Sequence, residues 1–293
     1  MRLRHVDYFV ATVDAGSVSA AARGLHVTQP ALSRQLRQLE DDLGVGLFDR
    51  EAGRLVLSRT GGALLPAARE LLATATALRT AARFHRDGGV QRLTLAAPTV
   101  TLTDVVSPFV AGMGPDDPVI DVRSADGLHP AKALRAGADL AITLKRPGLP
   151  FVARLLVVLP VWAYVRPDHA WADRMCVPVA ELAAQVLVVP PHGYGAREAL
   201  ETALDTAGTA ALETIETGNG TIAQALAAAG RGIAVVSDDP RFDLRPVAVD
   251  LGDDVLSLRL IAAWDGRSVA SPALAALAER LAAWTRARYG NRT

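Results

Sequence analysis

Cysteine occurs once in the 293 residues, at Cys176. A single thiol excludes an internal disulfide and a cysteine-built metal cage, and Cys176 itself is expected to be a packing residue, since free cysteine is usually buried. Net charge is missing as well. The 31 basic and 31 acidic residues cancel, so no overall field draws the chain toward nucleic acid or membrane. Long apolar runs are also lacking. Stretches such as Phe151–Leu159, itself interrupted by Arg154, and Val186–Val189 fall far short of the ~20 residues that a membrane span requires. The opening MRLRHVDYFV holds arginines but not the unbroken apolar stretch of a signal peptide. These absences predict a soluble, cytoplasmic protein with no membrane partner. No GxSxG, P-loop, GxGxxG or HExxH motif occurs, and the 6 histidines are scattered. The expectation is therefore no enzyme, no cofactor and no metal.

Hydrophobic residues make up 50% of the chain, enough for buried cores in two or more compact units. Alanine is abundant and lysine scarce, which reflects coding composition more than function. Charge is unevenly placed. Residues 1–90 hold 12 Arg and no Lys against 9 Asp and Glu, so this part carries +3 and the remainder −3. That asymmetry permits a nucleic-acid-binding head without demonstrating one.

The first sixty residues carry the sharpest pattern. Leu3, Val6, Phe9, Val10 and Val13 recur at helical steps and form one apolar face. Gly16 ends this helix, and Ser17 caps a short alanine-rich second one over Val18–Arg23. After the turn Gly24–Val27, in which His26 is structural, Thr28 caps a third helix with Pro30 in its first turn. Leu32, Leu36, Leu39 and Leu43 form its stripe and Gly44 stops it. Two short helices joined by a tight turn are a helix-turn-helix. Gln29, Ser33, Arg34 and Arg37 lie on the polar side of the third helix, where Gln suits adenine and Arg suits guanine in a major groove. The alternative is an ordinary solvated helix face. Leu47-Phe48 and Leu55–Leu57 read as strands flanking the loop Asp49–Arg54, a wing from which Arg50 and Arg54 reach phosphates.

The ordered run Tyr8-Phe9-Val10, Gly16-Ser17, Ala20-Ala21-Ala22 and Leu25 to Gln35 resembles the LysR-type regulators. So do Leu39-Glu40, Leu43-Gly44 and Leu47-Phe48-Asp49-Arg50, and together these motifs span about the first 65 residues. The resemblance implies that Thr28, Gln29, Pro30, Ser33 and Arg34 belong to a DNA-reading helix, that Ser17 meets phosphate, and that the hairpin arginines grip the backbone. Val18 stands where an aromatic is frequent and Gly46 where Pro or Thr is usual; both departures concern packing. Ser58, with Gly61 three residues on, reads as the cap of a long apolar helix reaching about Arg86 and bent by Pro66. Such a helix cannot stand alone in water, and the resemblance implies that it pairs with its twin to set a dimer. Burial inside the monomer is the alternative. Asp87-Gly88-Gly89 reads as a hinge.

Beyond the hinge, strands at Leu93–Ala97, Val119–Val122, Leu140–Ile142, Val157–Val165, Val186–Val189, Ile233–Val236 and Leu256–Ala262 alternate with helices. Those helices fall at Val105–Met113, Ala131–Ala136, Ala196–Ala207, Ile222–Ala229 and Pro272–Arg286. This alternation predicts α/β architecture with largely parallel sheets. A weaker resemblance to the LysR effector domain rests on Arg135–Ile142 and Ala227–Ala234. It implies a periplasmic-binding-protein-like effector domain of two subdomains. The expected organisation is a winged helix-turn-helix at 1–58, a linker helix and hinge at 59–90, and an effector domain at 91–293. Its subdomains are expected at about 91–160 plus 264–293 and at about 161–263.

Ligands of such sheets bind beyond the C-terminal strand ends, at helix N-termini. Three loops qualify: Pro98–Thr103 with Thr99, Thr101 and Thr103; Pro191–Gly195 with His192, leading to Arg197; and Gly218–Thr221 with Asn219 and Thr221. Simple helix capping is the alternative for each. Between Thr99 and Thr101 the spacing does not choose: distance to Pro108 favours Thr101, distance from the strand Thr99. Gly127 stands where some relatives that respond to aromatic acids carry Thr, which weakens that ligand class. The expected partners are double-stranded promoter DNA, a small, anionic effector, further copies in a homodimer or homotetramer, and RNA polymerase. A solute-receptor reading needs a signal peptide and leaves the first 65 residues without a role.

Overall fold

In the computed structural model the chain divides into two compact units, Met1–Arg83 and Phe84–Thr293. The structure describes residues 1–51, 54–87 and 90–290, without the side chains of Arg50, Glu51, Arg54, Thr80, Arg83, Phe84, His85 and Asp87. Gly88 and Gly89 of the expected hinge therefore lie outside the described residues.

The N-terminal unit comprises α1 (Leu3–Ala15), α2 (Val18–Gly24), α3 (Gln29–Leu43), the antiparallel strands β1 (Phe48–Glu51) and β2 (Arg54–Leu57), and most of α4 (Arg59–Asp87). The apolar stripes of the three short helices meet in one core: Val6, Tyr8 and Phe9 from α1, Ala21 and Ala22 from α2, and Leu32, Leu36 and Leu39 from α3, closed by Leu47. Each buried leucine contributes roughly 1.5–3 kcal/mol, so this unit is held by its stripes. Gly16 at φ 68° and Gly44 at φ 69° end α1 and α3 in the left-handed conformation that glycine adopts without strain. The Glu40 carboxylate reaches out of α3 and accepts the Leu47 and Phe48 amides at 2.7 and 3.1 Å, tying the hairpin to the helix. Ser58 caps α4, accepting the Gly61 amide at 2.8 Å while its hydroxyl donates to the Gly46 carbonyl at 2.8 Å. A Cβ on Gly61 would sit 2.1 Å from the Leu47 carbonyl oxygen. Only glycine lets α4 start this close to the hairpin.

The C-terminal unit runs β3 (Arg92–Ala97), α5 (Thr99–Thr101), a π-helical turn (Leu102–Val106), α6 (Ser107–Ala111), β4 (Val119–Ser124), α7 (Pro130–Arg135), β5 (Leu140–Thr143), β6 (Phe151–Pro160) and β7 (Trp162–Val165). It continues through β8 (Cys176–Pro178), α8 (Val179–Ala183), β9 (Val186–Val189), α9 (Gly195–Thr206), β10 (Glu213–Glu216), α10 (Gly220–Ala228), β11 (Ile233–Val236), β12 (Arg245–Asp250), β13 (Ser257–Asp265) and α11 (Ser271–Tyr289). Two sheets result, ordered β4-β3-β5-β13-β6 and β10-β9-β11-β7-β12-β8. The chain leaves the first sheet between β6 and β7 and returns between β12 and β13.

Four expectations need correction. The sheets are mixed: β13 runs antiparallel to β5 and β6, and β7 antiparallel to β11 and β12. The single strand expected over Val157–Val165 is two, broken at Val161 where the chain changes sheets. The helix expected from Val105 begins at Thr99, so the threonine loop is a helical first turn. Cys176 is exposed, not packed, because it stands on the three-residue strand β8 at the border of its sheet. Strands β8, β10 and β12 and helix α8 had no expectation; they are short, and β10 (ETIE) is mostly polar.

Among the described residues, no helix is long and apolar enough to cross a membrane.

Candidate functional site

The third helix presents Gln29, Pro30, Ser33, Arg34 and Arg37 together around one shallow, open depression. Gln29, Pro30, Arg34 and Arg37 are exposed. Thr28 holds the N-cap position without a capping hydrogen bond from its side chain. Ser17 is exposed, and its hydroxyl oxygen accepts the Ala20 amide at 3.2 Å. The side chains of Arg50 and Arg54 lie outside the described residues; their backbones sit in β1 and β2, where Arg50 faces Leu55 and Glu51 faces Arg54. The sequence reading missed Ser19. Its hydroxyl donates to Gln29 Oε1 at 3.0 Å and so orients the amide from the neighbouring helix. No local signal links residues ten positions apart on two helices.

In the C-terminal unit, a cavity of about 500 Å³ is lined from both sheets. Thr99, Thr101, Thr103, Asn219 and Thr221 all line it, as do Asp104, Asp126, Lys145, Glu198, Asp238 and Arg241. His192 and Arg197, expected here, do not. Arg197 Nε binds Glu201 Oε1 at 2.5 Å, one helical turn along α9, and this hydrogen bond holds the Glu201 carboxyl below its usual range. His192 is exposed with Nδ1 3.2 Å from the same oxygen. The i,i+4 spacing of Arg197 and Glu201 was a legible signal for that pairing.

The threonine turn already holds an acid group, and the chain supplies it. Asp126 accepts the Thr99 amide at 2.8 Å and the Thr99 hydroxyl at 2.5 Å, and Ser124 donates to it at 2.5 Å. Burial raises the Asp126 pKa, but these hydrogen bonds outweigh it and the net shift is downward. Thr103 donates back to the Thr99 carbonyl at 3.0 Å. Thr101 is buried, and its hydroxyl makes no hydrogen bond among the described residues. Asn219 caps α10 by accepting the Ile222 amide at 3.0 Å.

A charged network closes the floor of the cleft. Asp104, carried on the π-helical turn, pairs with Arg241 at 2.6 Å and accepts the Asp239 amide at 2.9 Å. Arg288 of α11 binds Asp239 at 2.8 Å, and the Tyr289 hydroxyl donates to the Asp104 carbonyl at 2.8 Å. Gln224, fully buried on α10, fixes the same loop by donating to the Asp239 carbonyl and accepting the Arg241 amide. Asp238 sits beside this network at 6% exposure. Burial, reinforced by the Asp104 carboxylate, pushes its pKa up to about 6. A π-turn inside a helix often marks a functional position.

A helix-turn-helix head precedes a cleft-bearing unit of two mixed sheets. Residues 3–62 match the bacterial regulatory helix-turn-helix protein family, lysR family, and residues 86–286 match the LysR substrate binding domain. The chain belongs to the LysR family of DNA-binding transcription regulators. It is 28% identical over 212 residues to the DNA-binding transcriptional dual regulator OxyR of Escherichia coli K12, covering 68% of this chain and 66% of that one. It is 30% identical over 244 residues to the HTH-type transcriptional regulator CfxR of Cupriavidus necator, covering 81% and 76%. The first of these matches thus spans just under two thirds of its relative's length. Among solved structures, a full-length OxyR variant from Pseudomonas aeruginosa superposes with TM-score 0.60 at 22% identity, covering 98% and 95%. Full-length CbnR complexed with its target DNA gives 0.57 at 22%, covering 96% and 99%.

Proposed function

We propose that this regulator reads promoter DNA with α3 and adjusts transcription when a small molecule occupies the cleft of its C-terminal unit. The observation that carries the reading is the cluster Gln29, Pro30, Ser33, Arg34 and Arg37 around one depression on α3, all but the half-buried Ser33 exposed. Gln29 pairs with adenine through its amide, held in place by Ser19, while Arg34 and Arg37 reach guanine or phosphate. Ser17 meets backbone phosphate, and Arg50 and Arg54 grip the flanking strand. Gln29→Ala is expected to cost about 1–3 kcal/mol on the operator and to relax preference at one base pair per half-site. Ser19→Ala should act in the same direction with a smaller loss. Gel-shift titrations on specific and random duplexes check this, and an equal loss on both would exclude base reading by Gln29.

The working form is a homodimer or homotetramer. Leu78 on α4 is 71% exposed and Leu71 39%, an apolar helix surface of the kind that buries itself against a second copy. A head carrying +3 gains grip when several act together, by about 10²–10⁴ in avidity. Sedimentation of the free protein is expected to give dimers or tetramers; a monomer at micromolar concentration would contradict it. RNA polymerase is the downstream partner in this reading. The E. coli OxyR relative belongs to a set that also includes proteins named hydrogen peroxide-inducible genes activators. With one cysteine in this sequence, an intrachain disulfide switch has no second thiol.

A further inference from the structure

The charge of the cleft argues against the anionic effector that its threonines suggest. Four carboxylates line it, Asp104, Asp126, Glu198 and Asp238, against two permanent cations, Lys145 and Arg241. Both cations are already engaged: Lys145 pairs with Glu198 at 2.9 Å and Arg241 with Asp104 at 2.6 Å. The His129 Nδ1 accepts the Ala131 amide. An entering anion would meet two surplus carboxylates and no free counter-charge among the described residues. Two of the donors that suit an acid group, the Thr99 amide and hydroxyl, are also taken by Asp126.

Asp238 is the carboxylate without a direct pair, offset only in part by its own backbone amide and the nearby Arg241 charge. It is 94% buried by its 6% exposure, lines the cavity, and has no ion pair within the described residues. No hydrogen bond from another residue reaches its carboxylate. Its oxygens lie against the first residue of α10, so close that a Cβ on Gly220 would fall 2.2 Å from Oδ2. Glycine at that position makes room for the carboxylate. A buried carboxylate compensated only in part is costly unless a partner arrives.

We propose that the cleft receives a small molecule with a cationic amine head, whose ammonium group donates to Asp238. The inference rests on reading the cleft as the effector site and names the charge of its ligand. Asp126 also lines the cleft and adds a second negative centre, and the Thr101 hydroxyl offers an acceptor. The leucines at 128, 144, 159, 258 and 260 supply apolar surface for a carbon skeleton. An ammonium bonded to a buried carboxylate is a charge-assisted pair, among the stronger hydrogen bonds available.

The test uses the full chain with phenethylamine and cadaverine against their carboxylate counterparts hydrocinnamate and glutarate, each at up to about 10 mM, read as melting-temperature shifts. The amines should raise the melting temperature of the wild type and the carboxylates should not. Asp238→Asn keeps the side-chain volume and should weaken the amines about tenfold or more while still melting cooperatively. Stabilisation by carboxylates alone, equal amine binding to variant and wild type, or no effect of either amine would overturn the cation site. Thr221→Trp, which fills the cleft, separates that failure from failure of the effector reading. Carboxylate binding abolished by Thr221→Trp would keep the cleft as effector site with the opposite charge; binding of either class indifferent to Thr221→Trp would remove both.

Discussion

Asp104→Ala is expected to destabilise the C-terminal unit by about 3–5 kcal/mol, the usual cost of removing one partner from a buried ion pair. The side chains of Asp104 and Arg241 are only 10% and 24% exposed, so little water can replace the lost contact. The substitution removes the Arg241 guanidinium's carboxylate partner, leaving it the Asp239 carbonyl, and takes the acceptor from the Asp239 amide. The exposed pair Arg166–Asp168 is the control; Asp168→Ala should cost less than about 1 kcal/mol. Adding Arg241→Met to Asp104→Ala should recover part of the loss, since it removes the uncompensated charge. All 4 tryptophans lie in the C-terminal unit, at Trp162, Trp171, Trp264 and Trp284. Urea unfolding followed by tryptophan emission therefore reports on that unit alone. Similar small losses for Asp104→Ala and Asp168→Ala would mean that the network does not hold the cleft floor.

Asp238→Asn should stabilise the same unit at neutral pH, by up to about 3 kcal/mol from a shift of about two pKa units. The carboxyl titrates near 6 in the fold against 3.8 for the unperturbed group. Above pH 6 the folded chain holds a charge that burial and Asp104 disfavour. As pH falls through 6 the folded state takes up its proton first, and stability rises. Below 3.8 both states are protonated and the difference is complete. The wild type therefore loses stability as pH rises from about 4 to 6, and the variant lacks this slope. The groups facing Asp238 are Asp104 on the π-helical turn and Arg241 and Asp239 on its own loop, with Arg288 of α11 bound to Asp239. Arg241 already lowers the Asp238 pKa in part, so the gain stays below what burial alone would give. Thermal melts between pH 4 and 8 measure it, and a variant less stable than wild type at pH 7 would exclude the buried charge. A group that costs stability yet lines a cavity marks function over folding.

What the sequence made legible was local. The α3 stripe Leu32, Leu36 and Leu39, the Ser17 cap and the stop at Gly44 each depend on neighbours within a few residues, and each is found in place. The cleft was legible as three loops but not as a charge pattern. Asp104, Asp238 and Arg241 converge across more than 130 residues of chain, and no spacing rule connects them. Asp126 answers the amide of Thr99 from another strand end, so the threonines read as an empty acid site when they were already filled. Between Thr99 and Thr101, Thr99 proves committed to Asp126, and the Thr101 hydroxyl is the uncommitted one. The mixed sheets escaped because strand direction is set by where the chain crosses between sheets, at Val161 and again before Ser257, not by the residues within a strand.

Fluorescence anisotropy of the full chain on the duplex upstream of its own gene, against a scrambled duplex of equal length at about 0.15 M salt, tests the central claim most directly. Binding to the natural duplex is expected to be about 10³-fold or more tighter, to weaken steeply with added salt, and to lose part of that preference in Gln29→Ala. Equal affinity for the two duplexes would contradict a DNA-reading regulator.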